Sequence, residues 1–180
     1  MERNVGLEQV GVAVETRTGF DPFFHTQFES VARAAALVTR DAGVGQELAQ
    51  EAFVRLLDRW DDMASDDHAR NFVYKVAINL ARSHVRKHAR VVLYGLHGPE
   101  LTAAASATNA SDAWLEMVGA LGALSPKQRA CVVLVDYADM DAAGAARVLG
   151  MSPGTVRVHL LRGRRALRAG LGLPAKEEIV

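Results

Sequence analysis

Between Ala142 and Arg168 the chain punctuates itself in a way that few folds can satisfy. Ala145, Ala146, Val148 and Leu149 form the apolar face of a short helix, and Gly150 stops it. Glycine takes the left-handed conformation at a helix end without the steric cost of a side chain. Two residues on, Ser152 supplies a hydroxyl able to cap a new helix, and Pro153 suits its first position. Val156, Leu160 and Leu167 then bury one side of that second helix, while the small Ala145 and Ala146 let the two helices cross closely. The pattern is helix, tight turn, helix. With the second helix lying in a DNA major groove, its exposed positions near the N-terminus are Thr155, Arg157, Val158, His159 and Arg162. Arginine pairs with guanine edges in two-pronged fashion, and valine touches a thymine methyl. Arg164, Arg165 and Arg168 follow further along and suit phosphates.

The formal net charge of zero argues against a nucleic-acid binder until its distribution is considered. Asp41 to Asp67 carries eight acids against two bases. Ala69 to Arg90 carries six bases and no acid, and Ser152 to Arg168 five bases and no acid. Segregated charge means separate faces for separate partners. Two blocks suit phosphates and one suits something else.

Few aromatics, with abundant Ala and Leu, favour helix over sheet. The expected fold is all-α: two small helical domains joined by a flexible linker, the C-terminal one a helix-turn-helix. Residues 1–19 read as an N-terminal tail and 172–180 as a C-terminal one. The first domain spans 20–90. Phe24, Phe28, Val31, Ala35 and Val38 mark one helix face, and Asp41 to Gly45 reads as a turn. A second helix, Gln46 to Trp60, turns Ala49, Phe53, Leu56, Leu57 and Trp60 inward and Glu47, Gln50, Glu51 and Asp58 outward. In a third, Ala69 to Arg90, the residues Lys75, Asn79, Arg82, Arg86 and Arg90 fall on one stripe. Gly95, Gly98, Pro99 and the small polar run after them mark a linker over 91–111. The second domain spans 112–171, with Ser125-Pro126 starting one of its helices.

Several functional classes recede. Cys131 is the only cysteine and lies in an apolar run, which excludes an internal disulfide and a zinc knuckle. No uninterrupted apolar stretch is long enough for a membrane span, and the N-terminus lacks a signal-peptide core, so the expected compartment is the cytoplasm. His84 and His88 sit one helical turn apart, as zinc ligands can, but Arg82, Arg86 and Lys87 surround them and oppose a metal ion. The acids at Asp61, Asp62, Asp66 and Asp67 lack the glycine and terminal glutamate of a calcium loop. No catalytic residue, metal site or cofactor is expected, and the chain is not read as an enzyme.

Four stretches, taken in order, resemble the extracytoplasmic-function sigma factors of bacterial RNA polymerase. They are Glu47-Leu-Ala-Gln-Glu-Ala-Phe-Val-Arg-Leu, Phe72-Val-Tyr-Lys-Val-Ala-Ile-Asn-Leu-Ala-Arg, Ala123-Leu-Ser-Pro-Lys-Gln-Arg and Leu149-Gly-Met-Ser-Pro-Gly-Thr-Val-Arg. The resemblance implies partners: core RNA polymerase, promoter DNA and an anti-sigma factor. Glu47, Gln50 and Glu51 fall where the family docks on the polymerase. Lys75, Asn79, Arg82 and Arg86 fall where it grips and opens the minus-ten element. Tyr74 stands beside them, either as a stacking platform for an unpaired base or as a core-edge aromatic. The polar segment Ser65 to Arg70 corresponds to the family's base-reading loop. Asp66 and Asp67 there would repel phosphate, which leaves His68, Arg70 and Asn71. The helix-turn-helix residues Thr155, Arg157, Val158, His159, Arg162, Arg164 and Arg165 fall on the upstream element. Where the family commonly carries Ser-Arg this chain has Val158-His159, so its promoter preference is its own. The competing reading is an ordinary helix-turn-helix regulator with an N-terminal sensing or dimerising domain.

Overall fold

A computed structural model describes residues 19–93 and 112–173. The first half is three helices. α1 (Phe20–Thr39) ends where Arg40 enters the left-handed region at φ 66°, its N–H donating to Ala36 O at 2.6 Å. Asp41 then caps α2 (Ala42–Leu57), its carboxylate accepting from Val44 N at 3.0 Å. So Asp41 to Gly45 is not a turn but the cap and first turn of a helix. Gly45 there serves close approach: a Cβ on it would lie 2.5 Å from Ala36 Cβ and 2.7 Å from Ala32 O. After a single 3-10 turn (Trp60–Asp62), α3 runs Asp66–Leu93. It starts earlier than the apolar periodicity does. The Ser65 hydroxyl accepts from His68 N at 3.2 Å, and Asp66 and Asp67 occupy the first turn, where the positive end of the helix dipole favours acids. It also continues through Val91–Leu93, three residues into the stretch read as linker; the rest of that stretch, residues 94–111, lies outside the described residues.

Phe20, Phe23, Phe24, Phe28, Phe53 and Trp60 pack as one aromatic cluster at the α1/α2 end, with centroid distances such as 4.9 Å for Phe24–Phe28 and 5.0 Å for Phe24–Phe53. Such edge and tilted pairs stabilise beyond their buried area.

The second half is four helices. α4 (Asp112–Gly122) leads to a capping box in which Ser125 and Gln128 bond each other's backbone N–H groups. α5 (Pro126–Val132) passes directly into a π-helical turn, Val133–Tyr137. Asp141 caps α6 (Ala142–Leu149), Gly150 ends it at φ 64°, and Ser152 caps α7 (Pro153–Gly170) through Thr155 N at 3.1 Å. α7 lies tight on α5, since a Cβ at Gly163 would come 2.8 Å from Val132 Cγ2.

The two halves do not stand apart. Val31, Leu56, Val73 and Ile78 from the first belong to the same buried cluster as Leu121, Leu134, Leu149 and Val156 from the second. α3 packs on α6, and α1 on the π turn. Among the described residues Arg129 is the one charged residue that is buried, 5% exposed, and it sits at this junction. Its guanidinium donates to Leu121 O at 2.9 Å, Leu124 O at 3.2 Å and, across the junction, Val38 O at 2.9 Å. Burial, and then the charge of Arg40, pull its pKa down to about 10, which leaves it a cation at neutral pH.

Candidate nucleic-acid interface

α7 presents Thr155, Arg157, Val158, Arg162 and Arg165 to solvent. The reason is geometric: Val156, Leu160 and Gly163 are the buried positions, and the others fall on the opposite arc. Thr155 is tied back to the cap, its hydroxyl 2.8 Å from Ser152 Oγ. His159 is half-buried, and its Nδ1 is enclosed without a hydrogen-bond partner. Leu161, 37% exposed, joins the 46% exposed Val158 as a second exposed apolar side chain on α7. It went unrecognised in the sequence because leucine at a three-residue step from Val158 reads as core.

Arg164, expected at a phosphate, is paired within the chain and stays half exposed. It is held by Asp136 of the π turn, Nε to Oδ2 at 3.1 Å and Nη2 to Oδ1 at 2.5 Å. The π turn carries the carboxylate to the flank of α7, a placement no local pattern signals.

On α3, Lys75, Asn79 and Arg86 are exposed. Arg82 is half-buried: its Nη1 donates to Asn79 Oδ1 at 3.3 Å and, across the junction, to Leu149 O at 3.4 Å. His68 is exposed, its Nδ1 accepting from Ala64 N at 3.3 Å. Asn71 donates to Asp67 O at 2.8 Å. Arg70 donates across the junction to Ala138 O and lies over the Tyr74 ring, 5.4 Å from its centroid. Tyr74 itself is 1% exposed, and burial raises its pKa above the ordinary tyrosine value. It is a core residue here, which corrects the stacking-platform reading: position 74 lies four residues from both Arg70 and Ile78, on the inner arc of α3.

The outer face of α2 carries Glu47, Gln50 and Glu51, all exposed. Glu51 pairs with Arg55 one turn on, Nε to Oε1 at 2.9 Å. Beside them Val54 is 57% and Leu57 37% exposed. Leu57 therefore points outward, not inward as expected. One residue along a helix is a 100° rotation, and Leu56 alone takes the core position.

Between the halves runs an apolar groove of about 930 Å³, lined among others by Phe28, Ala32 and Leu37 of α1, Trp114 and Met117 of α4, and Tyr137. Among the described residues no three His, Cys, Asp or Glu side chains come together as metal ligands, and no helix is long and apolar enough to cross a membrane. His84 and His88 stack on each other with centroids 4.0 Å apart.

An all-helical chain that ends in a helix-turn-helix, with a basic row on a second long helix, defines a DNA-binding transcription protein. Residues 27–91 match the family Sigma-70 region 2, and residues 115–167 match Sigma-70, region 4. The chain is 32% identical over 154 residues to an RNA polymerase sigma-E factor of Streptomyces avermitilis, with 84% of each chain covered. It is 30% identical to the sigma-E factor of Streptomyces coelicolor, covering 84% of this chain and 85% of that one. It is 25% identical to the ECF RNA polymerase sigma factor SigM of Mycobacterium tuberculosis, covering 87% and 79%. The fold is similar to that of the sigma factor RpoE from Bartonella quintana, solved in complex with the anti-sigma factor NepR, at TM-score 0.70 and 19% identity over 87% of this chain and 98% of that one.

The chain belongs to the extracytoplasmic-function sigma factors of the sigma-70 family. It is a non-enzymatic subunit of RNA polymerase that initiates transcription from promoters.

Proposed function

We propose that the chain works in the cytoplasm as two promoter grips, residues 20–93 and 112–171, joined by a linker over 94–111 and carried on one polymerase. The observation that carries this reading is the charge of the exposed faces: a basic row on α3 and another on α7, with an acidic face on α2. Glu47, Gln50 and Glu51 dock on core polymerase, with Val54 and Leu57 as the apolar centre of that contact. Lys75, Asn79, Arg82 and Arg86, with His68, Arg70 and Asn71, hold the minus-ten element. Thr155, Arg157, Val158, His159, Arg162 and Arg165 read the upstream element.

Melting uses binding energy alone. Contacts to unpaired bases and their phosphates offset unstacking, which costs about a few kcal/mol per step. A partner of the anti-sigma kind is proposed as well, seated in the apolar groove between α1 and α4, where Phe28, Trp114 and Met117 offer the burial that a partner helix needs.

The test is promoter-specific run-off transcription with purified core polymerase. Specific transcripts support the assignment. Binding to DNA without polymerase recruitment, on every promoter tried, would return the chain to the plain regulator class.

A further inference from the structure

An apolar side chain stands at the centre of the exposed arc of α7. Val156 and Leu160, both buried, are each two residues from Val158, or about 200° round the helix, and the buried Gly163 is about 140° away. Val158 therefore sits opposite the buried edge. It is 46% exposed, and Ser152 to Arg168 sets five arginines and no acid around it. Its neighbours do not take the same place. The Thr155 hydroxyl, one turn earlier, is engaged at the cap, 2.8 Å from Ser152 Oγ. His159 is half-buried with its Nδ1 enclosed. Val158 is thus the exposed member of the Val158-His159 pair.

Gly154, four residues before Val158, leaves the approach open. It is exposed, its backbone is helical with no positive φ, and a Cβ on it would meet only Ser152 Oγ within 4 Å, at an ordinary 3.9 Å. Neither packing nor a left-handed backbone asks for glycine there, and glycine weakens a helix. The missing side chain provides room for an outside group to come close beside Val158.

We propose that Val158 determines specificity in the upstream element by reading a pyrimidine C5-methyl, which in unmodified DNA is that of thymine. This rests on α7 reading that element. The C5-methyl is the apolar group that base pairs present in the major groove, and the valine side chain has no donor or acceptor with which to meet the others. Against a polar base edge the same side chain would strip water from a donor or acceptor and return no hydrogen bond, which costs free energy. Val158 thus selects twice, by burying its own surface against a methyl and by penalising the polar alternatives. Arg165 and Arg168, further along, suit phosphates and fix the register in which Val158 meets its base.

The test uses the full chain assembled with core polymerase. Duplexes carrying a randomised upstream element are selected by binding. Each thymine of the recovered element, on either strand, is then replaced singly by deoxyuridine, which removes the methyl and keeps the hydrogen-bonding edge. The expected result is an affinity loss of about fourfold at one position, the effect of one methyl leaving a buried contact. Val158→Ser should bind the thymine and uracil duplexes alike, and Leu161→Ala, which removes the other exposed apolar side chain, should keep the difference. An element without an A·T pair, uracil tolerated at every position, or a uracil effect that survives Val158→Ser overturns the methyl contact and leaves α7 as the reader. A uracil effect lost in Leu161→Ala but kept in Val158→Ser moves the contact off Val158 and overturns its assignment. A recovered pool with no upstream preference counts against α7 as the reader, and the methyl contact falls with it.

Discussion

Asp136 holds Arg164 by two nitrogens at 3.1 and 2.5 Å, and the pair joins the π turn after α5 to the flank of α7. It ties α7 to the segment that follows α5. The pair is half exposed, so it contributes about 0.2–1 kcal/mol. Arg164→Met should cost stability of that order and leave the salt dependence of upstream-element binding unchanged. A fall of about one in the salt slope would show that Arg164 neutralises a phosphate after all.

Arg162 differs from Arg164 by its arc. It is exposed on the same face as Val158, four residues earlier. As a two-pronged base contact its loss, Arg162→Ala, should cost about 1–3 kcal/mol at the preferred upstream sequence and relax preference at one or two base pairs. Binding measured across a panel of single-base variants checks this; uniform weakening would make Arg162 a phosphate contact.

Glu51→Lys should impair assembly with core polymerase and leave binding to a duplex bearing only the upstream element intact. Glu51 is exposed and holds only Arg55, one turn away, so the fold loses an i,i+4 pair worth about 0.3–0.5 kcal/mol. Val54→Asp tests the apolar part of the same face, because 57% exposure leaves the core untouched. Unchanged assembly in both variants counts against docking through α2.

The helix-turn-helix is legible in the sequence because its signals are local. Gly150, Ser152 and Pro153 each act on the backbone within four residues, and the exposure of Arg157, Val158 and Arg162 follows from the burial of Val156 and Leu160. What was not legible depends on distant chain. Nothing near Arg129 in sequence says that its guanidinium will be buried against Val38, and nothing near Arg164 points to Asp136. Tyr74 failed as a base platform for the same reason. Its burial is set by position on a helix packed on two sides, while aromatic character alone suits a core and a base equally. The early start of α3 was missed because acids in the first turn disguise a helix N-terminus as a polar loop.

His84 gives a pH handle. Burial first, and the neighbouring His88 second, hold the His84 pKa below its ordinary 6.5, while Asp41 and Glu47 oppose them. The folded state thus binds a proton at His84 less readily than the unfolded chain. The stability this contributes is full above the ordinary value and is lost as the pH falls through the lower folded value. Thermal melts should decline as the pH falls below the ordinary histidine value of 6.5. His88→Ala should move the His84 imidazole titration, followed by NMR, up towards the ordinary value; no movement would leave burial as the whole cause.

Two glycines of similar helical context separate helix propensity from packing. Gly119 in α4 is exposed, and a Cβ there meets nothing within 4 Å. Gly119→Ala should therefore stabilise by up to about 1 kcal/mol, the propensity difference between the two residues. Gly45 in α2 is buried, and its added Cβ would lie 2.6 Å from Ala36 N and 2.7 Å from Ala32 O. Those neighbours are backbone and cannot rotate aside. Gly45→Ala must push α2 off α1, at a cost of about 1–3 kcal/mol that exceeds the propensity gain. Denaturant unfolding of the two variants should move the midpoints in opposite directions. A shared increase would mean that the α1–α2 crossing is looser than this approach implies, and that Gly45 is no more than a weak helix former.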